Sequence, residues 1–208
     1  MITDLNKRLH AWMLAKFDSE SGYEELVAPR KKRLFSNLNG TIVEIGPGAG
    51  ANLRFYHKQT NWVGIEPNKY MHSYIKNEAT QVGLQNYRLL TQSAEEMPFA
   101  DNSVDAVVST LVLCTVSDQK KTLNEIHRVF KPGGQFIFIE HVAAHKGSWT
   151  RLFQTMVKPA WKIIADGCHP DRDTLKEIKQ INFHQIKARK FSIYNTFVSP
   201  HIAGVAIK

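Results

Sequence analysis

Short apolar runs alternate with segments of helical period through the middle of the chain. Five runs have the length and composition of buried strands, at 41–45, 62–65, 87–91, 105–114 and 135–141. Segments between them carry apolar residues at helical spacing, at 51–58, 69–82 and 118–130. Continuously apolar strands separated by helices predict a parallel sheet covered on both faces, which is a doubly wound α/β fold.

The C-terminal end departs from this alternation. Two extended runs, 183–191 and 202–207, are joined by a short irregular link with no helix between them. We expect them to close the sheet as an antiparallel hairpin. The stretch 147–181 has mostly helical character and is interrupted by a turn at 166–170. We expect a single domain over residues 1–208.

The N-terminal residues form an amphipathic pattern. Apolar side chains recur there at helical spacing, with lysine and arginine among the other positions: Ile2, Leu5, Leu9, Trp12, Met13 and Phe17. A second helix is predicted over 23–38, broken or restarted near Pro29. We expect residues 1–38 to cover the sheet or to act as a lid. A second use for the first helix is weak peripheral contact with an anionic membrane.

The composition excludes few function classes. No segment reaches the roughly 18 uninterrupted apolar residues of a spanning helix. With only two cysteines, a reduced, cytoplasmic setting is the simple expectation. The net charge of +8 lies mainly in residues 141–208, which we interpret as a solvated surface. Against a nucleic-acid substrate, Leu113-Cys114-Thr115-Val116 stands where a base-flipping Asn-Pro-Pro-Tyr would follow the fourth strand. The two cysteines form no CxxC pair, so we expect no metal site.

A glycine-rich segment follows the first predicted strand. Glu44-Ile45-Gly46-Pro47-Gly48-Ala49-Gly50 allows a sharp turn and a close approach of the backbone to a ligand. Glu66 ends the second strand, where a carboxylate can accept both ribose hydroxyls of an adenosine. The spacing of Gly46, Gly48 and Ala51 also satisfies the dinucleotide pattern, so spacing alone leaves NAD open.

Three observations favour S-adenosylmethionine over NAD. Glu44 would repel a pyrophosphate but attract the ammonium of a methionine group. The chain has no Tyr-x-x-x-Lys pair of the kind that serves as the acid and base of short-chain dehydrogenases. It is also too short to add a separate substrate domain.

These segments resemble class I S-adenosylmethionine-dependent methyltransferases of the type-11, UbiE-like branch, over about residues 40–208. The glycine segment resembles their first motif and Gly64-Ile65-Glu66-Pro67-Asn68 their second. Residues 93–99 are similar to the segment that meets the adenine, and 127–134 to the segment before their fifth strand. The resemblance implies a seven-stranded mixed sheet and a cofactor site formed by Glu44, Gly46, Pro47, Gly48, Gly50, Glu66, Pro67, Ser93, Ala94, Glu95, Thr110 and Leu111.

A narrower resemblance concerns the acceptor. Segments at 110–114, 140–143, 147–149, 166–168 and 200–202 are similar to membrane-associated animal methyltransferase-like proteins that methylate alkyl thiols, and to their bacterial relatives. It implies methyl transfer to a small, lipophilic acceptor, with a thiol favoured and S-adenosylhomocysteine as the product. A phospholipid or quinone-type acceptor and a non-catalytic adenosine-binding or membrane module are the alternatives.

A histidine is the candidate general base. His141 ends the fifth predicted strand, at the edge where ligands bind in open α/β sheets. An imidazole there could take the proton of a thiol, with Asp166, His169 or His201 as an orienting or alternative group. A buried histidine bonded to the main chain explains His141 equally well. For Cys114, we favour a small buried hydrophobic residue.

Overall fold

A seven-stranded sheet forms the centre of the computed structural model, which describes residues 4–20, 22–165, 167–193 and 198–208. The strands follow the order β3-β2-β1-β4-β5-β7-β6. They are β1 Thr41–Ile45, β2 Asn61–Ile65, β3 Asn86–Leu90, β4 Val104–Thr110, β5 Phe130–His141, β6 Gln185–Ser192 and β7 Pro200–Ile207. The helices are α1 Asp4–Glu20, α2 Tyr23–Phe35, α3 Met71–Val82, α4 Gln119–Val129, α5 Trp149–Ile164 and α6 Thr174–Gln180.

The strand directions confirm the predicted mixed sheet. Strands β1 to β5 pair in parallel, while β7 runs antiparallel to both β5 and β6. The chain moves outward from β1 to β3, then crosses back to place β4 on the other side of β1. The carboxyl ends of β1 and β4 therefore meet at the switch point, where open α/β sheets bind their ligands.

Both faces of the central strands are buried, as continuously apolar strands require, whereas the edge strands β3 and β6 are largely exposed. Neighbouring residues of β1 enter opposite layers: Val43 packs in one hydrophobic cluster and Ile42 in the other. The indole of Trp62, on β2, is completely buried in the second layer. Rigid packing on both faces fixes the strand ends from which the site is built.

Several predicted elements differ in the structure, and strand β5 already begins at Phe130 instead of residue 135. The segment 51–58 forms only a 3₁₀ turn at Leu53–Phe55 instead of a helix. Strand β4 ends at Thr110, because Leu111 takes a left-handed φ of 58° that breaks the strand. Helix α2 runs unbroken through Pro29, contrary to prediction, and ends at Phe35. Burial of one face of α2 offsets the hydrogen bond that proline cannot make.

Helix α1 lies over the loop that follows β2. The side-chain amide of Asn68 donates to the carbonyl of Lys7 at 3.0 Å, and the Tyr70 hydroxyl bonds the Asp4 carboxylate. Ala11 is buried, whereas Leu5 and Trp12 are exposed. The described side chains of Leu5, Leu9, Trp12 and Met13 on α1 are therefore directed largely to solvent, while polar groups make these contacts. No described helix has the length and apolar character needed to cross a membrane.

Candidate functional site

The bend after β1 brings the backbone into a tight, open-sided turn. Gly46, Gly48 and Gly50 have φ values of 55°, 56° and 95°, which side chains other than glycine adopt at a cost. A Cβ at Gly46 would lie 2.6 Å from Val112 Cγ2, whereas one at Gly48 would meet nothing within 4 Å. The Gly50 amide donates to the Pro47 carbonyl at 2.9 Å and closes the turn. The bend is thus packed on one side and open at Gly48.

The Glu66 carboxylate faces this bend from the end of β2. Its Oε2 accepts from the Gly48 amide at 3.3 Å, and its Oε1 accepts from the Asn68 amide at 2.9 Å. Pro67, which follows Glu66, begins the loop that contacts α1 through Asn68. The structure therefore brings the two predicted halves of an adenosine site, bend and distal acid, within hydrogen-bond reach.

The Glu44 carboxylate lies beneath the bend and is almost completely buried. It accepts hydrogen bonds from Asn52 Nδ2 at 2.7 Å, the Tyr56 hydroxyl at 2.9 Å and Trp62 Nε1 at 3.0 Å. Burial raises the pKa of the Glu44 carboxyl, against these three hydrogen bonds. The two oxygens of Glu44 thus already accept hydrogen bonds from side chains beneath the bend. The predicted contact of Glu44 with a methionine ammonium stays a prediction.

Asn52 is a site residue that the sequence did not indicate. Its Nδ2 also donates to Thr110 Oγ1 at 3.1 Å, so the amide joins Glu44 on β1 to the end of β4. Its Oδ1 is buried and has no hydrogen-bond partner among the described residues. A buried acceptor without a protein partner can accept a hydrogen bond from a water molecule or from a ligand. An asparagine inside a predicted helix gave no signal of this role.

A strained residue follows Thr110 at the end of β4. Leu111 has a positive φ, which is costly for a bulky side chain and is typical of functional loops. Its amide donates to the Ile139 carbonyl at 2.9 Å, which fixes the loop to β5. The next residue, Val112, packs against Gly46. The loop of residues 111–114 therefore sets the position of the glycine bend.

The segment 93–95 is anchored to the loop before α4. Ala94 is buried, Ser93 is exposed, and the Ser93 hydroxyl bonds the Glu95 carboxylate. Glu95 Oε1 accepts from the amides of Ser117 at 2.8 Å and Asp118 at 3.3 Å. The predicted adenine contact of these residues stays a prediction.

His141 is buried at the carboxyl end of β5, beside Cys168. Its Nε2 lies 3.0 Å from Cys168 Sγ, and its Nδ1 has no partner in the described part of the chain. Its ring centroid is 6.3 Å from that of His201. Burial lowers the pKa values of His201 and His169 to about 4, so both are neutral at pH 7. Asp166, the predicted orienting acid, lies outside the described residues.

Comparison with known proteins decides the family. Residues 43–138 match the family model described as a methyltransferase domain. The chain is 38% identical to thiol S-methyltransferase TMT1A of Homo sapiens over 198 residues, which cover 89% of this chain and 81% of that protein. The chain belongs to the S-adenosylmethionine-dependent methyltransferases. Its cofactor is accordingly S-adenosylmethionine.

Solved structures support the fold of this methyltransferase. The crystal structure of geranyl diphosphate C-methyltransferase from Streptomyces coelicolor, which contains S-adenosyl-L-homocysteine, gives a TM-score of 0.67 at 14% identity, covering 88% of this chain and 79% of that one. The [4+2]-cyclase SpnF gives 0.68 at 16% identity, covering 88% and 80%. A cyclase among these neighbours means that the fold alone does not fix the reaction.

The residues at the bend fit the cofactor of a methyltransferase. Glu66 offers a carboxylate to ribose hydroxyls, and Gly48 leaves the approach open. The unpartnered Oδ1 of Asn52 offers an acceptor to an ammonium group. Glu66 and Asn52 thus present acceptors of the kind that the hydroxyl and ammonium donors of S-adenosylmethionine require.

A buried acid holds the loop of residues 111–114 in this methyltransferase. Glu140, on β5, is completely buried and accepts from the Ser109 hydroxyl at 2.5 Å. It also accepts from the amides of Val112 and Leu113, each at 3.2 Å. Burial raises the pKa of the Glu140 carboxyl to about 7, against these hydrogen bonds. Its place beside His141 in a strand end gave no hint of this role.

The raised pKa predicts that stability depends on pH. The Glu140 pKa rises from 4.5 unfolded to about 7 folded, so the folded state binds the proton more tightly. Its contribution to the free energy of unfolding is full below about pH 4.5 and falls by up to about 3 kcal/mol as the pH rises through 7. Glu140→Gln removes this titration. In denaturant unfolding at pH 5 and pH 8, the wild type should lose more stability than Glu140→Gln; equal losses would contradict the prediction.

Proposed function

We propose that this methyltransferase methylates the sulfur of a small, lipophilic thiol. The observation that carries the proposal is the extent of similarity to the human thiol S-methyltransferase. That similarity covers 89% of this chain, whereas the general methyltransferase match ends at residue 138. It therefore includes most of the region after β5, which contains Cys168 and His201 on the acceptor side.

The protein has to position the two reacting sulfur atoms more than it has to transfer protons. The cofactor, when bound, supplies a methyl group on a sulfonium, and its leaving group is neutral. A thiol is a few per cent ionised at pH 7, and its thiolate is intrinsically nucleophilic. The main tasks of the protein are then to hold the two sulfur atoms in line and to exclude water. A base at His141 stays a prediction, and its Nε2 is already engaged by Cys168.

A cleft lies beside the end of β5, and it is lined by Val142 and His201, which neighbour His141 in the chain and in the sheet. It has a volume of about 800 Å³, in the range of small-molecule sites, and lies between α6 and the C-terminal hairpin. Its lining includes Val142, Leu175, Phe191 and the buried His201. Charged side chains also line the cleft: Lys146, Arg151, Asp171, Asp173, Lys176, Glu177 and Lys190. The cleft is therefore of mixed character, and the lipophilic nature of the acceptor stays a proposal.

An acceptor panel tests the proposal. With labelled S-adenosylmethionine, alkyl and aryl thiols should give labelled thioethers, and the matched alcohols and amines should give little or no product. The reason is that a sulfur nucleophile is partly ionised at pH 7 and an alcohol is not. Product only from a phospholipid or a quinone precursor would contradict the thiol assignment. Cofactor binding with no product from any acceptor would favour the non-catalytic alternative.

For the cofactor site, we propose that Glu66 holds the ribose hydroxyls beside the bend at Gly48. Glu66→Gln should weaken binding of S-adenosylhomocysteine by about 10- to 100-fold, because a charged acceptor contributes roughly 1.5–3 kcal/mol per hydrogen bond. Glu25→Gln, a change at an exposed position of α2, is the matched control. Calorimetric titration gives both affinities; equal affinities for the two variants would exclude Glu66 from the site.

We further propose weak peripheral membrane contact through α1. Its exposed apolar side chains support this role: Leu5, Leu9, Trp12 and Met13 are 73%, 50%, 53% and 43% exposed. Lys7, Arg8 and Lys16 on the same helix suit an anionic surface. A cytoplasmic location, the absence of a nucleic-acid substrate and the single-domain boundary stay predictions.

Vesicle sedimentation measures this contact. The wild type should sediment with vesicles of phosphatidylcholine and phosphatidylserine, and less so at high salt. Trp12→Ser should reduce the bound fraction several-fold, because it removes an exposed aromatic anchor from α1. Trp149→Ser removes an exposed indole from α5 and is the matched control. Loss of binding confined to that control would assign the contact to α5 instead.

A further inference from the structure

Three soft ligand groups converge beside the methyltransferase site. The Sγ atoms of Cys114 and Cys168 and one ring nitrogen of His141 all lie within 4.8 Å of one another, and all three residues are buried. Cys114 ends the loop of residues 111–114, His141 ends β5, and Cys168 lies between α5 and α6. We propose that they form a zinc site with an open fourth position, and that this position takes the acceptor sulfur.

The backbone around the cluster is fixed before any ion binds. The His169 amide donates to the Cys114 carbonyl at 2.9 Å and joins the two cysteine loops directly. The guanidinium of Arg172 donates to the carbonyls of Leu113 and Val116, each at 2.8 Å. A preformed arrangement lowers the entropic cost of binding a metal.

The ligand set matches Zn²⁺ in number, type and charge. Two thiolates and one imidazole with an open position are a known catalytic zinc combination. Bonds of about 2.3 Å to sulfur in a tetrahedral site place two sulfur atoms roughly 3.8 Å apart. This separation falls within the 4.8 Å limit that encloses the three ligand atoms here. Two thiolates also neutralise the charge of the ion, which a buried site requires.

Without a metal, the cluster is a poor nucleophile. Both cysteines are buried, and Cys168 Sγ contacts His141 Nε2 at 3.0 Å, so neither thiol is open to solvent. Zn²⁺ would displace the thiol protons, since only the thiolate is a ligand. The cluster therefore gains a chemical use only when a cation is bound.

At this location a bound metal ion could hold the acceptor sulfur near the cofactor, provided that the acceptor is a thiol as proposed above. Cys114 Sγ lies 3.5 Å from the carbonyl of Leu111, next to the end of β4 at the switch point. An acceptor thiol that binds the zinc loses its proton to solvent and stays bound as a thiolate at pH 7. Its sulfur then forms a bond to the methyl carbon while the bond from that carbon to the sulfonium breaks. The products are a neutral thioether, S-adenosylhomocysteine and the released proton.

Metal binding is tested on the full chain. Protein stripped with a chelator and kept reduced is titrated with Zn²⁺, and with Co²⁺ as a spectroscopic probe. We expect one ion per chain and a thiolate-to-cobalt charge-transfer absorption. Cys114→Ser and Cys168→Ser should each weaken Zn²⁺ binding by more than roughly 100-fold, because even outer-shell changes cost 10- to 100-fold. His184→Asn, at an exposed position before β6 and outside the cluster, should bind Zn²⁺ as the wild type does.

Separate readouts distinguish this proposal from the function on which it rests. Retained binding of S-adenosylhomocysteine shows that each variant is folded. Thiol methylation by protein that takes up no zinc would overturn the metal site and leave the proposed function intact. Zinc uptake unchanged in both cysteine variants, or a Cys114–Cys168 disulfide with no uptake after its reduction, would also overturn it. Zinc uptake without any thiol product would support the site and reject the thiol acceptor.

Discussion

The site depends on one buried carboxylate. Glu140 reaches from β5 to the end of β4 and accepts hydrogen bonds from Ser109, Val112 and Leu113. These bonds hold Leu111 in a conformation that a leucine would otherwise avoid. The cost of burying an acid is met because its oxygens replace water as acceptors for two backbone amides and a hydroxyl.

The loop of residues 111–114 contacts both the glycine bend on the cofactor side and the cysteine–histidine cluster on the acceptor side. Val112 packs against Gly46, where there is no room for a Cβ, and so positions the glycine bend. Cys114, at the end of the same loop, brings its sulfur to His141 and Cys168. The cofactor side and the acceptor side are therefore fixed by the same four residues. A shift in this loop would move both together.

A second buried acid, Glu44, supports the bend from below. It takes three side-chain hydrogen bonds from elements that are distant in the sequence, including the indole of Trp62. Asn52 extends this network to Thr110 and leaves its oxygen available. The acids of the first and second motifs therefore have different surroundings. Glu44 is enclosed by side chains, whereas Glu66 contacts the amide of Gly48, the glycine at which the bend is open.

The sequence by itself determined the sheet, its switch point and the pairing of Glu66 with the glycine bend, because periodicity and glycine spacing are local properties of the chain. It also predicted the antiparallel hairpin. Only the tertiary structure decided where β4 ends, that Pro29 lies within a continuous helix and that Glu44 is enclosed. It also decided that Glu140 holds the loop after β4 and that Asn52 belongs to the site. It alone joined Cys114 with Cys168. Each of these depends on contacts between segments far apart in the chain, where packing overrides local preference and no short motif records the proximity.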